Sequence, residues 1–220
     1  MSAPLELMLD FISPYSYLAW TQIDGIAARH GREVTLVPVL FAAMLDSLGT
    51  TGPAEVPVKR EYAYLDVHRK AALLGVPMKL PPRHPFAPLL SLRAATSFED
   101  RGERARAVDA LYRATWETGV GVDTEDLVSA ALTSAGLDGP AALARASTPE
   151  VKAQLQRATT DAIARGVFGV PTVVVEGQTF WGTDSLPSLE AFLLGADPIT
   201  PEIRALVKTV PAGIERKRKT

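Results

Sequence analysis

The residues with the clearest chemical potential stand near the start of the chain, in Ser13-Pro14-Tyr15-Ser16. The apolar run from Leu5 to Phe11 ends there. Tyr17, Leu18, Ile23, Ile26 and Ala27 then supply the apolar positions of a predicted helix that reaches about His30, where Gly31 stops it. Ser13 is placed to cap that helix. Pro14 takes its first position, where a preset φ helps and a missing N–H is not felt. The first amides of a helix have no carbonyl partner and its dipole is positive at that end, so this is a place for an anion. A cysteine here would ionise readily, but the 220 residues include none. Disulfides, thiolate metal sites and thiol–disulfide exchange by the chain's own side chains are therefore excluded. The anion that Ser13 would steady has to arrive with a ligand. A thiol cofactor beside it would lose its proton more easily, each pKa unit being worth about 1.4 kcal/mol. A plain helix cap is the other reading of the same spacing.

The elements around Ser13 follow a recognisable order. Leu5 to Phe11 reads as a buried strand and Glu33 to Leu40 as a second, with the helix between them; strand, helix and strand within about 40 residues make a βαβ unit with a parallel pair. From Phe41 to Gly166 the chain is rich in Ala, Leu, Arg and Glu without a β-rich run. Helices are predicted over Lys59 to Leu74, Pro88 to Asp100, Glu103 to Thr118, Thr124 to Ala135, Gly139 to Ala146 and Pro149 to Arg165. The Gly- and Pro-containing stretches 49–57 and 77–88 read as ordered loops. Strands return at Thr172 to Val175 and Gln178 to Trp181 around the turn Glu176-Gly177, and a helix over Leu186 to Leu194 follows. This is an α/β chain, a thioredoxin-like domain with an all-helical insertion. The expected limits are 1–40 and 167–200 for the discontinuous thioredoxin-like domain, 41–166 for the insertion and 201–220 for a C-terminal extension.

In that arrangement Gly166-Val167-Phe168-Gly169-Val170-Pro171-Thr172 lies opposite the first helix. Pro171 opens the third strand where this fold carries a cis peptide bond. The backbone of Val170, just ahead of it, is left to pair with an extended, peptide-like ligand.

Asp10-Phe11-Ile12-Ser13-Pro14-Tyr15-Ser16-Tyr17-Leu18-Ala19, Gly169-Val170-Pro171-Thr172 and Phe180-Trp181-Gly182-Thr183-Asp184, taken in order, resemble the 2-hydroxychromene-2-carboxylate isomerases and their relatives, the kappa-class glutathione transferases. Both belong to the broader DsbA-like group. The similarity runs from about Leu5 to Leu194 and takes in Pro85-Phe86, Leu92-Arg93-Ala94, Trp116, Gly121 and Asp123. It implies a glutathione-dependent enzyme in which Ser13 hydrogen-bonds and activates the thiolate. Val170 would hold the cysteinyl backbone ahead of cis-Pro171, and Asp184 with Ser185 the γ-glutamyl amine and carboxylate. Lys59 and Arg60 would meet an anionic substrate or the glycyl carboxylate, and Phe11, Tyr15, Phe86 and Trp181 would wall the substrate. For an isomerase the resemblance implies reversible addition of the thiolate to an unsaturated aromatic acid, rotation about the resulting single bond, and departure of the thiolate. A homodimer is implied too. The chain departs from the family pattern at Thr51-Gly52-Pro53, where Asn is common, and at Ser185, where Arg is common. Simpler roles stand beside these: Asp184 as an N-cap, Lys59 and Arg60 as a solvated helix start, the aromatics as core.

The rest of the sequence narrows the field. Lys and Arg number 23 against 25 Asp and Glu, a formal charge of -2, with none of the excess that nucleic-acid binding requires. The C-terminal Arg216-Lys217-Arg218-Lys219 reads as a solvated end. The apolar stretch from Leu36 to Leu45 contains Pro38 and is about half the length that spans a bilayer. No export signal is visible, so a cytoplasmic location is expected. His30, His68 and His84 are isolated and carry no expected metal site. A serine hydrolase would need a Gly-x-Ser-x-Gly or Ser-x-x-Lys motif, and neither occurs. The competing expectations are a glutathione transferase or peroxidase that consumes the thiol, and a non-catalytic binding protein of the same fold.

Overall fold

A computed structural model describes residues 2–213. The basic run 216–219 lies outside the described residues. Four strands form one sheet in the order β2-β1-β3-β4, with β1 at Leu5–Leu9, β2 at Val34–Pro38, β3 at Thr172–Val175 and β4 at Gln178–Trp181. β1 and β2 run parallel, linked by α1 (Pro14–Arg29), while β3 is antiparallel to β1 and β4 to β3. Leu7 sits between Leu36 of β2 and Val173 of β3. Between β2 and β3 the described residues are helical: α2 (Phe41–Leu48), α3 (Pro57–Leu74), α4 (Leu89–Thr96), α5 (Arg101–Tyr112), α6 (Glu125–Ser134), α7 (Gly139–Ala146) and α8 (Pro149–Ala164). α9 (Leu186–Leu193) and α10 (Pro201–Thr209) follow β4. The fold is the expected thioredoxin-like sheet with an all-helical insertion.

β1 buries leucines on one face and Met8 on the other, while Glu6 at the margin of the second face pairs with Arg165 at 2.6 Å. Leu5, Leu7 and Leu9 point into a core that also takes Tyr17 and Ile23 of α1 and Leu92, Leu111, Trp116 and Val128 of the helical segment. Met8, on the other face, joins Val39, Met44, Val167, Val170 and Val174. The larger core crosses from the sheet into the insertion without a break.

The structure departs from the sequence expectations at particular caps. Asp100 was expected to end a helix begun at Pro88; instead its carboxylate accepts the Glu103 amide at 2.9 Å and starts α5, so α4 stops at Thr96. The helix expected over Glu103 to Thr118 ends as α at Tyr112 and continues as one wide π turn over Arg113–Glu117, with the Thr118 amide donating to the Arg113 carbonyl at 2.8 Å. α2 lacks a local side-chain cap. Its Phe41 amide donates to Asp10 Oδ2 at 2.9 Å and the Leu40 amide to Thr159 Oγ1 at 3.0 Å, both far away in sequence. α10 begins at Thr200-Pro201-Glu202, the signature that begins α8 at Thr148-Pro149-Glu150.

Candidate functional site

Ser13 caps α1 as expected, its Oγ accepting the Ser16 amide at 3.2 Å, with Pro14 in the first turn. The same oxygen lies 3.5 Å from the carbonyl of Val170, and the Val170-Pro171 bond is cis. The two elements picked out by the sequence therefore meet. At 3.5 Å the contact is at the long limit of a hydrogen bond, so the Ser13 hydroxyl proton is free to turn toward a closer acceptor. Ser13 is buried, which strengthens any charge-assisted bond it makes. The Val170 segment is held from behind by Thr172 Oγ1 donating to the Gly169 carbonyl at 2.7 Å and by the Gly182 amide donating to the Pro171 carbonyl at 2.9 Å. Trp181 lies against it, half exposed, its ring 4.9 Å from that of Phe168. Gly169 is needed for this approach, because a Cβ there would come within 2.7 Å of the indole nitrogen.

The loop before Ser13 is fastened carbonyl by carbonyl to the helical insertion. Trp116 Nε1 donates to the Phe11 carbonyl at 2.8 Å, and His84 Nε2 lies 2.8 Å from the Ile12 carbonyl. A carbonyl only accepts, so His84 carries its proton on Nε2, and its Nδ1 accepts the Tyr64 hydroxyl at 3.0 Å. The His84 ring stands edge-on to Trp116 with centroids 5.3 Å apart. Burial holds His84 below the usual histidine pKa, partly offset by its bond to Ile12, while the charge of Arg60 adds to the depression. Asp10, completely buried, accepts the amides of Ile12 at 3.1 Å and Phe41 at 2.9 Å, and loss of water pushes its carboxyl up to about 7 against the pull of these bonds. The loop carrying His84 is tied in turn by Arg83, whose Nη2 reaches Asp123 Oδ2 at 2.6 Å.

On the other side of Ser13 lies a charged rim. The Tyr15 hydroxyl donates to Asp66 Oδ2 at 2.8 Å. Lys70, one turn further along α3, reaches the same oxygen at 2.9 Å and Asp184 Oδ1 at 3.6 Å, with its ammonium 5.4 Å from the Tyr15 ring centroid. Burial alone would raise Asp66, but the bonds from Lys70 and Tyr15 and the charge of Lys70 outweigh it and hold the carboxyl below its usual value. Burial likewise pushes the Tyr15 phenol up, assisted by the bond to Asp66. Asp184 is largely exposed, open to a further cation.

Other expected residues fare differently. Ser185 donates its hydroxyl to the Gly182 carbonyl at 2.8 Å and its amide to the same atom at 3.3 Å, leaving neither pointed outward. Phe11 is a correction: it is wholly buried, edge-on to Tyr112 at 4.9 Å, and faces the core rather than a substrate. Phe86 stays partly buried beside His84. Arg60 lies close enough to influence His84 and Tyr64, whereas Lys59 is exposed with no partner among the described residues. His84, Asp66, Lys70 and Phe168 were not singled out from sequence. The i, i+4 spacing of Asp66 and Lys70 was there to be read; the contact of His84 with Ile12 was not. Among the described residues, no three His, Asp or Glu side chains are grouped to hold a metal, and no helix is long and apolar enough to cross a membrane. A cavity of about 380 Å³ lies elsewhere, between α1, β2 and α5, where Trp20 is engaged with Asp109 and Arg101 with Glu33.

A Ser-capped helix facing a cis-proline loop is set here in a sheet of order β2-β1-β3-β4. The profile of the DsbA-like thioredoxin domain matches residues 5–194. The 2-hydroxychromene-2-carboxylate isomerase of Sphingobium xenophagum is 31% identical over 198 residues, which cover 88% of this chain and 100% of the relative. The chain belongs to the DsbA-like family, with the 2-hydroxychromene-2-carboxylate isomerases and kappa-class glutathione transferases. Within that family, glutathione S-transferase kappa 1 of Rattus norvegicus is 28% identical over 218 residues, covering 91% of this chain and 96% of its own. A solved 2-hydroxychromene-2-carboxylate isomerase superposes with a TM-score of 0.80 at 25% identity, over 94% of this chain and 99% of that one.

Proposed function

We propose that this family member is a glutathione-dependent isomerase of the 2-hydroxychromene-2-carboxylate type, acting as a homodimer in the cytoplasm on an unsaturated aromatic acid. The observation that carries the reading is the pairing of Ser13 at the start of α1 with the Val170 carbonyl of the cis-proline loop. The donor set suits glutathione: a hydroxyl in a helix N-terminal field for sulfur, a backbone segment for a peptide, and a rim with carboxylates and an ammonium for a ligand bearing both charges. When bound, glutathione supplies a thiolate that adds to a conjugated carbon and leaves again unconsumed. Ser13 then turns its hydroxyl proton from Val170 to the sulfur, while its oxygen keeps the Ser16 amide. Val170 pairs with the cysteinyl backbone, Asp184 takes the ligand ammonium and Lys70 a carboxylate. Trp181 and Phe86 flank the substrate and restrict water, and Arg60 or Lys59 meets its carboxylate.

Calorimetric titration of glutathione into the wild-type protein and Ser13→Ala, with ultraviolet difference absorbance for bound thiolate near neutral pH, tests this. Saturable binding with a thiolate signal that Ser13→Ala weakens is expected. Absence of binding at millimolar glutathione would overturn the assignment and leave a thioredoxin-fold binding protein. The similarity to the kappa-class transferases favours a second reading, a transferase or peroxidase. Glutathione disappears during turnover in that case and persists in an isomerase.

A further inference from the structure

We infer that α10 and the basic run 216–219 together dock this chain on the surface of an anionic lipid bilayer, with the apolar side of α10 laid into the interface. α10 stands beyond residue 194, where the match to the DsbA-like thioredoxin domain ends. At about 100° per residue, Ile203, Leu206, Val207 and Val210 form one stripe along it, with Ala205, Lys208 and Thr209 on the opposite side. The stripe faces solvent: Ile203 is 38% exposed, Leu206 61%, Val207 65% and Val210 66%. A surface helix ordinarily turns such a stripe onto the body of the protein. α8 starts with the same Thr-Pro-Glu signature and buries Leu155, Thr159 and Ala162, whereas no residue of α10 is buried. What holds α10 to the sheet is polar. Arg204 Nη1 donates to Gln178 Oε1 at 2.5 Å, and its Nη2 lies 3.6 Å from Asp197 Oδ2. A helix tethered by one guanidinium, with four apolar side chains left in water, is presented to a second apolar medium.

The charges say which medium. In the sequence, residues 201–220 hold six cations, Arg204, Lys208, Arg216, Lys217, Arg218 and Lys219, against two anions, Glu202 and Glu215. The chain as a whole has a formal charge of -2, so everything before residue 201 is net negative. A negative surface therefore attracts this end and repels the rest, which orients the molecule on it. Six residues carry the chain from Val210 to Arg216, at most about 20 Å, so the stripe and the basic run can meet one plane. Neither signal suffices alone. A helix of nine residues buries too little apolar surface for stable anchoring, and exposed cations are screened by salt; an apolar insertion with a polybasic patch beside it supplies both. A nucleic acid would use the cations and leave the stripe in water, whereas a bilayer interface of acyl chains beneath phosphates uses the two together. Contact of this kind lies on the membrane and needs no spanning helix, consistent with the lengths of the helices among the described residues.

The inference is independent of whether glutathione binds. Its test is flotation of the full chain with vesicles of phosphatidylcholine containing about 30% phosphatidylserine, in about 0.1 M salt. Binding is expected to be at least about tenfold stronger than to phosphatidylcholine alone, and to weaken by about tenfold when salt is raised to about 0.5 M. Arg216→Ala, Lys217→Ala, Arg218→Ala and Lys219→Ala together are expected to weaken it by about 100-fold or more, each cation near an anionic surface being worth about fivefold. Leu206→Ser with Val207→Ser is expected to weaken it by about tenfold while leaving every charge in place. A chain that floats with neither kind of vesicle would overturn the proposal, as would equal binding to both. A Leu206→Ser, Val207→Ser variant that binds like wild type would overturn it too, reducing the contact to adsorption of the basic run. Because α10 buries no residue, these changes leave the core untouched, which far-UV circular dichroism checks. Glutathione titration of the same variants reads the cofactor assignment separately.

Discussion

The loop from Asp10 to Ser13 and the rim formed by Tyr15, Asp66, Lys70 and Asp184 flank the same helix start but are secured differently. Around the loop, buried side chains from the insertion bond single backbone carbonyls: Trp116 to Phe11, His84 to Ile12. Around the rim, partly exposed charges share one another's oxygens, Lys70 reaching both Asp66 and Asp184. A buried carbonyl that loses its donor keeps its full desolvation cost, whereas an exposed ion pair that breaks is rehydrated. The loop is thus fixed and the rim adaptable. Ser13 belongs to the fixed part and a ligand's charged ends would meet the adaptable one.

The largest expected effect comes from breaking the fixed side. Trp116→Ala removes a wholly buried indole and leaves the Phe11 carbonyl unpaired, and should lower stability by about 3–5 kcal/mol in urea unfolding. Next come the two buried titrating groups, which work in opposite senses. His84 has a depressed pKa, so its contribution is complete above about 6.5, the ordinary value, and is lost as pH falls through its folded value. Asp10 has a raised pKa, so its contribution is complete below its ordinary 3.8 and is lost as pH rises toward about 7. The stability gap between wild type and Asp10→Asn should therefore narrow from pH 4 to pH 7, and that between wild type and His84→Asn should widen from acid to neutral pH. Unfolding curves across that range read both; gaps independent of pH would show that neither group titrates differently in the folded chain. A smaller loss, about 1 kcal/mol of cap energy, is expected for Ser13→Ala in the same assay. Smallest is Lys70→Ala, expected to change stability by less than about 1 kcal/mol. A loss from Lys70→Ala as large as that from Trp116→Ala would erase the distinction between the two regions.

Much of the fixed side was legible because its signals are local. Ser13-Pro14 is a cap followed by a helix-ready proline, and Gly169-Val170-Pro171-Thr172 stands just ahead of a β-rich run. What escaped depends on partners distant in sequence. α2 is begun by Asp10, 31 positions earlier, so nothing beside Phe41 announces it. His84 looked isolated because the carbonyl it serves belongs to Ile12, 72 positions away. The burial of Phe11 follows from Tyr112 lying on it, a contact that requires the insertion to be folded against the sheet. The rim was half legible: Tyr15 and Asp184 were identified, but the side chains joining them stand on α3 and act through tertiary contact. The Asp100 cap and the Thr200-Pro201 start are local signals of the same kind as Ser13-Pro14.

The wide turn over Arg113–Glu117 bears on how this chain tolerates change in length. Along an α-helix each residue advances the facing direction by about 100°, so adding or removing one rotates everything beyond it. The π turn holds one residue more than an α turn would, and Trp116, whose indole fastens the Phe11 carbonyl, stands within it. Deleting a single position there would keep the segment helical and its composition nearly unchanged, yet swing the indole away from the loop it fastens. For this helix, reading frame in the angular sense is under as strict a constraint as the identity of any side chain.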